Sequence, residues 1–156
     1  MTILLVRHAR AGRRSSWRGE DLLRPLSAKG RVQADRLPAL LVPWTSEPSP
    51  VLLASPWVRC VQTLGPLAHA LGVGIIEDHI LGEGMALKAA PSLGKWLGPR
   101  PTVLCTHGDV IEGILAHLID NGVDLGPKPT AAKGSVWVIE GTADKIRSAH
   151  YLPPPA

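Results

Sequence analysis

The sequence predicts an α/β chain, a three-layer α/β/α sandwich around a mostly parallel sheet. Two observations carry this. Short apolar runs alternate with stretches of helical period along most of the chain. Two of those runs, Leu4-Leu5-Val6 and Val103-Leu104-Cys105, lead directly into a histidine, as Arg7-His8 and Thr106-His107. Ligands of such sheets gather beyond the carboxyl ends of the strands, so His8, Ser55 and His107 are expected at one edge.

The first strand covers Thr2 to Arg7. The polar loop that follows, Ala9 to Arg24, has no hydrophobic period, and a long loop after a core strand commonly carries function. Ser27 supplies an N-cap for a helix from Ala28 to Leu41, with apolar contacts from Val32, Leu37 and Leu40, although Pro38 counts against an unbroken helix. Val51 to Ala54 reads as a short buried strand ending on Ser55-Pro56. Arg59 to Leu71 reads as a helix, again with a proline inside, Pro66. Gly72 and Gly74 separate it from a strand at Ile75-Ile76. Leu81 to Met85 is expected as loop, Leu87 to Leu97 as a shorter helix and Thr102 to Thr106 as a strand. Val110, Ile111, Ile114, Leu115, Leu118 and Ile119 give the helix after Gly108 its period, and Asn121-Gly122 close it. Val136 to Glu140 and Lys145 to Tyr151 form two final strands around a turn from Gly141 to Asp144.

At 156 residues the chain is expected to be one domain over 1–156, large enough to bury a core without disulfides or metals. With no Phe and one Tyr, that core must be aliphatic. Trp96 and Trp137 fit core packing, whereas Trp17, Trp44 and Trp57 fall in expected loops, Trp57 at the mouth of the expected site. Cys60 and Cys105 have neither zinc-ligand nor redox spacing, so a reducing cytoplasm is the expected compartment. No apolar run reaches bilayer length and no export signal leads the chain, so neither membrane nor secretion is expected.

The net charge of +4 is unevenly spread. Between Arg7 and Arg36 the cations far outnumber Glu20, Asp21 and Asp35, which suits an anionic ligand. Most of these side chains read as solvated surface; Arg7 is the exception, held beside His8 by a strand end.

A phosphomonoester dianion repels nucleophiles and hydrolyses very slowly unaided, so a site acting on one must supply positive charge. Arg7 and Arg59 offer permanently charged planar forks, and the backbone N–H groups of Gly108 and Asp109 open a helix whose positive end suits an anion. A neutral His8 imidazole can attack phosphorus in line, with His107 holding an equatorial oxygen. Nearby arginines disfavour imidazolium and keep His8 neutral. The leaving group needs a proton, for which Glu83 is the first candidate and Asp109 the second. The reading calls on no metal and no cofactor.

At these residues the sequence resembles the histidine phosphatase superfamily, whose fold is phosphoglycerate-mutase-like. The resemblance rests on Arg7-His8-Ala9, the run Asp21, Arg24, Pro25, Leu26, Ser27, Gly30, then Ser55-Pro56 with Arg59, Gln62 and Thr63, and finally Thr106-His107-Gly108. It implies His8 as nucleophile, Arg7, Arg59, His107 and Gly108 around the phosphate, and Glu83 as the acid. Ala9, where mutases of the family have glycine, points to the SixA-type branch of phosphohistidine phosphatases. The segments Arg24 to Gly30 and Lys133-Gly134-Ser135-Val136-Trp137 are also similar to the phosphatase domain that follows a Nudix domain in some bacterial proteins. The short stretch from Gly82 to Leu87 has no room for a lid. The resemblance therefore implies an open pocket, suited to a phosphohistidine protein or a nucleotide.

Two other classes compete with a phosphatase. The same arginines can dock a phosphorylated partner without chemistry, if no acid is positioned. The basic N-terminal third also raises nucleic-acid binding, but the chain has no recognition motif or aromatic stacking series, and no nucleic-acid partner is expected.

Overall fold

The computed structural model describes residues Met1 to Pro155. Its centre is a six-stranded sheet of β1 (Thr2–Arg7), β2 (Val51–Ala54), β3 (Ile75–Glu77), β4 (Thr102–Thr106), β5 (Val136–Gly141) and β6 (Ile146–Leu152), in the order β3-β2-β4-β1-β5-β6. The first four positions of that order run parallel, and β5 and β6 add an antiparallel edge. Helices α1 (Ala28–Thr45), α2 (Val58–Leu71), α3 (Ala86–Ala89) and α4 (Gly108–Asp120) cover it. The expected three-layer α/β arrangement is thus the one the chain adopts.

Strand alternation divides the core into two layers. Leu4 and Val6 of β1 join Val103 and Cys105 of β4 against Leu37 and Leu41 of α1 and Cys60, Leu64 and Leu67 of α2. Ile3 and Leu5 face the opposite way, with Leu104, onto Val110, Ile111 and Ile114 of α4. Trp96 and Trp137 are buried in this second layer, as their sequence context suggests.

The prolines do not break their helices. α1 runs through Pro38 and Pro43 to Thr45, four residues beyond the expected end at Leu41, because Ala34, Leu37, Leu41 and Thr45 form one buried face. Burial of each such side chain contributes about 1.5–3 kcal/mol, comparable to the ~3 kcal/mol cost of an internal proline. α2 passes Pro66 in the same way, burying Arg59, Cys60, Thr63, Leu64 and Leu67. The helix expected over Leu87 to Leu97 does differ. It begins as α3 and tightens into a 3-10 segment from Ala90 to Trp96. Pro91 cannot donate a backbone hydrogen bond there, and Gly94 brings the segment against the turn at Ala143 so closely that a Cβ would lie 2.8 Å from the Ala143 carbonyl. The loop after β1 is also not featureless, since it makes 3-10 turns at Arg14–Ser16 and Asp21–Leu23.

α1 starts where the chain after β1 needs support. The Ser27 hydroxyl accepts a hydrogen bond from Gly30 N at 3.1 Å, and Ser27 N donates to the Arg10 carbonyl at 2.9 Å. Gly30 is the closest approach in the chain, for a Cβ there would sit 1.8 Å from the Arg10 oxygen. Among the described residues, no helix is long and apolar enough to cross a membrane.

Gly30→Ala is expected to lower unfolding stability by about 1–3 kcal/mol, since the Arg10 backbone must move away from the new methyl group. Urea unfolding followed by circular dichroism measures the loss. An unchanged midpoint would mean that Arg10 is not held against α1.

Candidate active site

Three chain segments reach one edge of the sheet at the same level. Arg7 pairs with Thr106 in the parallel register of β1 and β4, and one step further His8 N donates to the Thr106 carbonyl at 3.0 Å. On the other side of β4, Ser55 N donates to the Cys105 carbonyl at 3.0 Å. His8, Ser55 and His107 therefore leave β1, β2 and β4 side by side. The His8 and His107 rings are 5.4 Å apart in an edge-to-face arrangement.

His8 is buried, and its Nδ1 lies 2.8 Å from the Ala9 carbonyl, an acceptor only. Nδ1 therefore carries the proton and Nε2 keeps its lone pair. Burial is the chief reason that the His8 pKa falls from 6.5 to about 3; the hydrogen bond to Ala9 opposes it, and His107, Arg59 and Arg7 add smaller downward pushes. The arginines expected to keep this ring neutral thus assist a larger desolvation effect. Ala9 N donates to Thr63 Oγ1 at 3.0 Å, and Thr63 Oγ1 donates to the Arg59 carbonyl at 2.7 Å, which locks the chain after His8 onto α2.

His107 caps the start of α4 and is held from behind. Its Nε2 is 2.8 Å from Ser55 Oγ, and the Trp57 ring packs edge-on against it at 5.1 Å. Ser55 Oγ accepts from Trp57 N at 3.3 Å and can donate its own proton to Nε2. The His107 proton then sits on Nδ1, which is 3.5 Å from Glu83 Oε1. Trp57, expected at the mouth of the site, is accordingly a wall of His107.

Arg59 is wholly buried, and its charge is answered on the spot. Its Nη2 donates to Asp21 Oδ2 at 3.1 Å and to Glu83 Oε1 at 2.5 Å, and its Nη1 donates to the Asp21 carbonyl at 3.0 Å. Asp21 also accepts from Arg24 Nε at 3.0 Å. Burial would raise the Asp21 pKa, but the hydrogen bonds from Arg24 and Arg59 outweigh it and bring it to about 2. Arg7 Nη1 donates to the Ala131 carbonyl at 2.6 Å. Beside that guanidinium Gly108 leaves the space it needs, because a Cβ would lie 2.9 Å from Arg7 Nη2.

Glu83 comes from the segment between β3 and α3, which is fastened on both sides. Thr106 Oγ1 donates to the Leu81 carbonyl, and Gly84 N donates to Asp109 Oδ2 at 2.7 Å. Gly82 permits the approach, since a Cβ would fall 2.5 Å from the Trp57 ring. The Glu83 carboxylate also accepts from Arg14 Nη2 at 3.2 Å.

A cleft of about 440 Å³ is lined by all seven residues singled out in the sequence: Arg7, His8, Arg59, Glu83, His107, Gly108 and Asp109. Arg14, Arg24, Gly84 and Lys133 complete it. Arg13 does not reach it, nor do His69, His79, His117 or His150. Among the described residues, Arg7 Nε, Arg59 Nε and His107 Nδ1 are buried without a hydrogen-bond partner. Unpaired buried donors are costly, and these three adjoin the same cleft. Sequence reasoning missed the tasks of Asp21 and Arg24, which brace Arg59, and of Lys133. Their signals were the family-like runs that contain them, Asp21 to Gly30 and Lys133 to Trp137, which do not say what each side chain touches.

The unfolded chain takes up a proton at His8 as pH falls through 6.5, whereas the folded chain refuses it down to about 3. His8 therefore lowers stability by about 1.4 kcal/mol per pH unit across that window and has no effect above it. His8→Gln is expected to flatten this acid loss, read as the change in urea midpoint between about pH 7 and about pH 4. Equal losses in both proteins would show that the imidazole is not buried uncharged.

Comparison with known proteins agrees with this geometry. The family model of the histidine phosphatase superfamily (branch 1) matches residues 3–86. The chain is 38% identical over 160 residues to the 8-oxo-(d)GTP phosphatase of Mycolicibacterium smegmatis (strain ATCC 700084 / mc(2)155), an alignment covering 99% of this chain and 48% of that protein. The chain thus spans about half the length of this curated relative. Its fold resembles that of the protein histidine phosphatase SixA in complex with tungstate, with a TM-score of 0.74, 15% identity and 96% of each chain covered. It also resembles a mycobacterial glucosyl-3-phosphoglycerate phosphatase complexed with VO3, with a TM-score of 0.72, 18% identity and 99% of each chain covered. More than half of the sequence matches the family model, so the chain belongs to the histidine phosphatase superfamily, branch 1.

Proposed function

We propose that the chain hydrolyses a phosphorylated substrate through a phosphohistidine on His8. The observation that carries this is the buried, neutral His8 ring, whose Nδ1–H is committed to the Ala9 carbonyl while Nε2 keeps its lone pair beside two guanidiniums and a second imidazole. In the first step Nε2 attacks phosphorus, the new N–P bond forms and the bond to the leaving group breaks. The departing atom takes the bonding electron pair and a proton from a carboxyl group. In the second step a water molecule attacks phosphorus, the carboxylate takes the water's proton, and the N–P bond breaks to release orthophosphate. Arg7, Arg59 and His107 hold the equatorial oxygens as charge shifts onto them.

Of the two candidate acids, Glu83 is favoured. It touches the donors that face the phosphate, whereas the Asp109 carboxylate is engaged by Gly84 N and orients the Glu83 segment. A phosphohistidine protein and a nucleotide both fit an open cleft; the relative named for a nucleotide supports the nucleotide.

His8→Ala is expected to cut turnover of para-nitrophenyl phosphate by about 10⁴-fold or more. Acid-labile, alkali-stable phosphate should be trapped on the wild-type chain alone. If the purified chain binds vanadate yet releases phosphate from no monoester between mildly acidic and neutral pH, it is a docking module. Glu83→Gln separates the two tasks of that side chain. It should slow turnover by about 10²–10³-fold, while inorganic phosphate binds about tenfold more tightly once a neighbouring negative charge is gone. Steady-state kinetics and calorimetry read the pair of effects, and unaltered turnover would exclude Glu83 as the proton donor.

A further inference from the structure

Beside the active cleft lies a second one of about 420 Å³, and Lys133 lines both. Arg10, Ser27, Lys29, Gln33 and Lys133 form its polar walls. The two clefts differ in their balance of charge. Glu83 and Asp109 face the first, whereas among the described residues no carboxylate lines the second. Among the described residues, none of Arg10, Lys29 and Lys133 takes part in an ion pair. Partial burial and the guanidiniums of Arg7, Arg24, Arg10 and Arg59 hold the Lys133 pKa below its ordinary value.

The backbone beneath these walls is held in place. Arg10 N donates to Gln33 Oε1 at 2.9 Å, and Gln33 Nε2 donates to the Lys133 carbonyl at 3.2 Å, so one side chain ties the two walls together. Ser27 adds bonds from its backbone N and its hydroxyl to the Arg10 carbonyl at 2.9 and 3.2 Å. Gly134 N donates to the carbonyls of Arg7 and His8 at 3.1 and 3.2 Å, which pins the Lys133 segment to the end of β1. These bonds hold the backbones from which the exposed Arg10 and Lys133 side chains extend; like charges gathered there repel one another, and an anion placed among them relieves the repulsion. The lining contains no aromatic ring on which a base could stack. It selects for charge.

We infer that this cleft binds a second phosphate group on the same molecule as the one transferred to His8. The chain then prefers substrates carrying two phosphate groups, such as a nucleoside diphosphate or a sugar bisphosphate, over single-phosphate esters. The inference rests on the phosphatase reading above for the fate of the first phosphate. Lys133, shared by the two clefts, is the cation that both groups see.

Calorimetry with methylenediphosphonate, which is not hydrolysed, and with orthophosphate tests the site without turnover. The diphosphonate is expected to bind the full chain about tenfold more tightly than orthophosphate. Arg10→Ala combined with Lys29→Ala should bring that ratio close to one. Both side chains are exposed, and circular dichroism confirms that the variant is folded. Equal affinities in the wild type, or a preference that survives the double substitution, overturn the inference. Kinetics then locate the second group: a higher kcat/KM for GDP than for GMP assigns it to an anhydride-linked phosphate, and one for glucose bisphosphate over glucose monophosphate assigns it to a separate phosphate. Preference for neither compound overturns the substrate assignment. If nothing releases phosphate, the phosphatase reading falls, while the diphosphonate comparison still decides whether the second cleft binds.

Discussion

The parallel pairing of β1 with β4 is the constraint on which the site depends. Register in a sheet buried on both faces is strongly specified, because a slip of one residue turns every side chain to the other layer. Ile3 and Leu5 belong to one core layer and Leu4 and Val6 to the other, so the apolar alternation that secures the core also fixes where each strand stops. Two imidazoles separated by nearly a hundred residues of sequence consequently emerge one step past the same rung of the ladder. The hydrophobic core sets the spacing of the polar groups.

Around those rings the protein manages an excess of positive charge with few carboxylates. A buried guanidinium is tolerable only when it is paired and hydrogen-bonded, and Arg59 meets that condition through Asp21 and Glu83. The two acids are not equivalent. Asp21 is shared between Arg24 and Arg59 and behaves as structure, whereas Glu83 lies on a segment fastened from outside, through Leu81 and Gly84, with its carboxylate reaching inward. A bracing acid and the proposed proton donor thus grip the same arginine.

The sheet, its helices and the histidine edge were legible because each left a local mark: a strand-length apolar run, a turn of small residues, a helical period. The marks that misled were also local. Pro38 argued against a helix that continues through it, because burial of Leu41 and Thr45 is decided by the neighbouring helix and sheet. Leu87 to Leu97 has helical spacing but is drawn tight by Pro91 and by contact at Gly94, which only the folded chain reveals. Of the site, residues joined to strand ends could be named in advance, and His8, Ser55 and His107 are of that kind. The tasks of Asp21, Arg24 and Lys133 could not: Asp21 meets Arg59 from 38 residues away and passes that link to Arg24, Lys133 reaches the cleft from a segment pinned to the end of β1, and none continues a strand.

The Glu83 carboxylate takes hydrogen bonds from Arg59 and Arg14, and its Oε1 lies 3.5 Å from His107 Nδ1. A tethered anion of this sort acts at an effective concentration far above that of chloride or bicarbonate in solution. On the proposed reading, a ligand phosphate must take these donors from a carboxylate held beside them, and a group with more charge and more acceptor atoms than one carboxylate competes for them best.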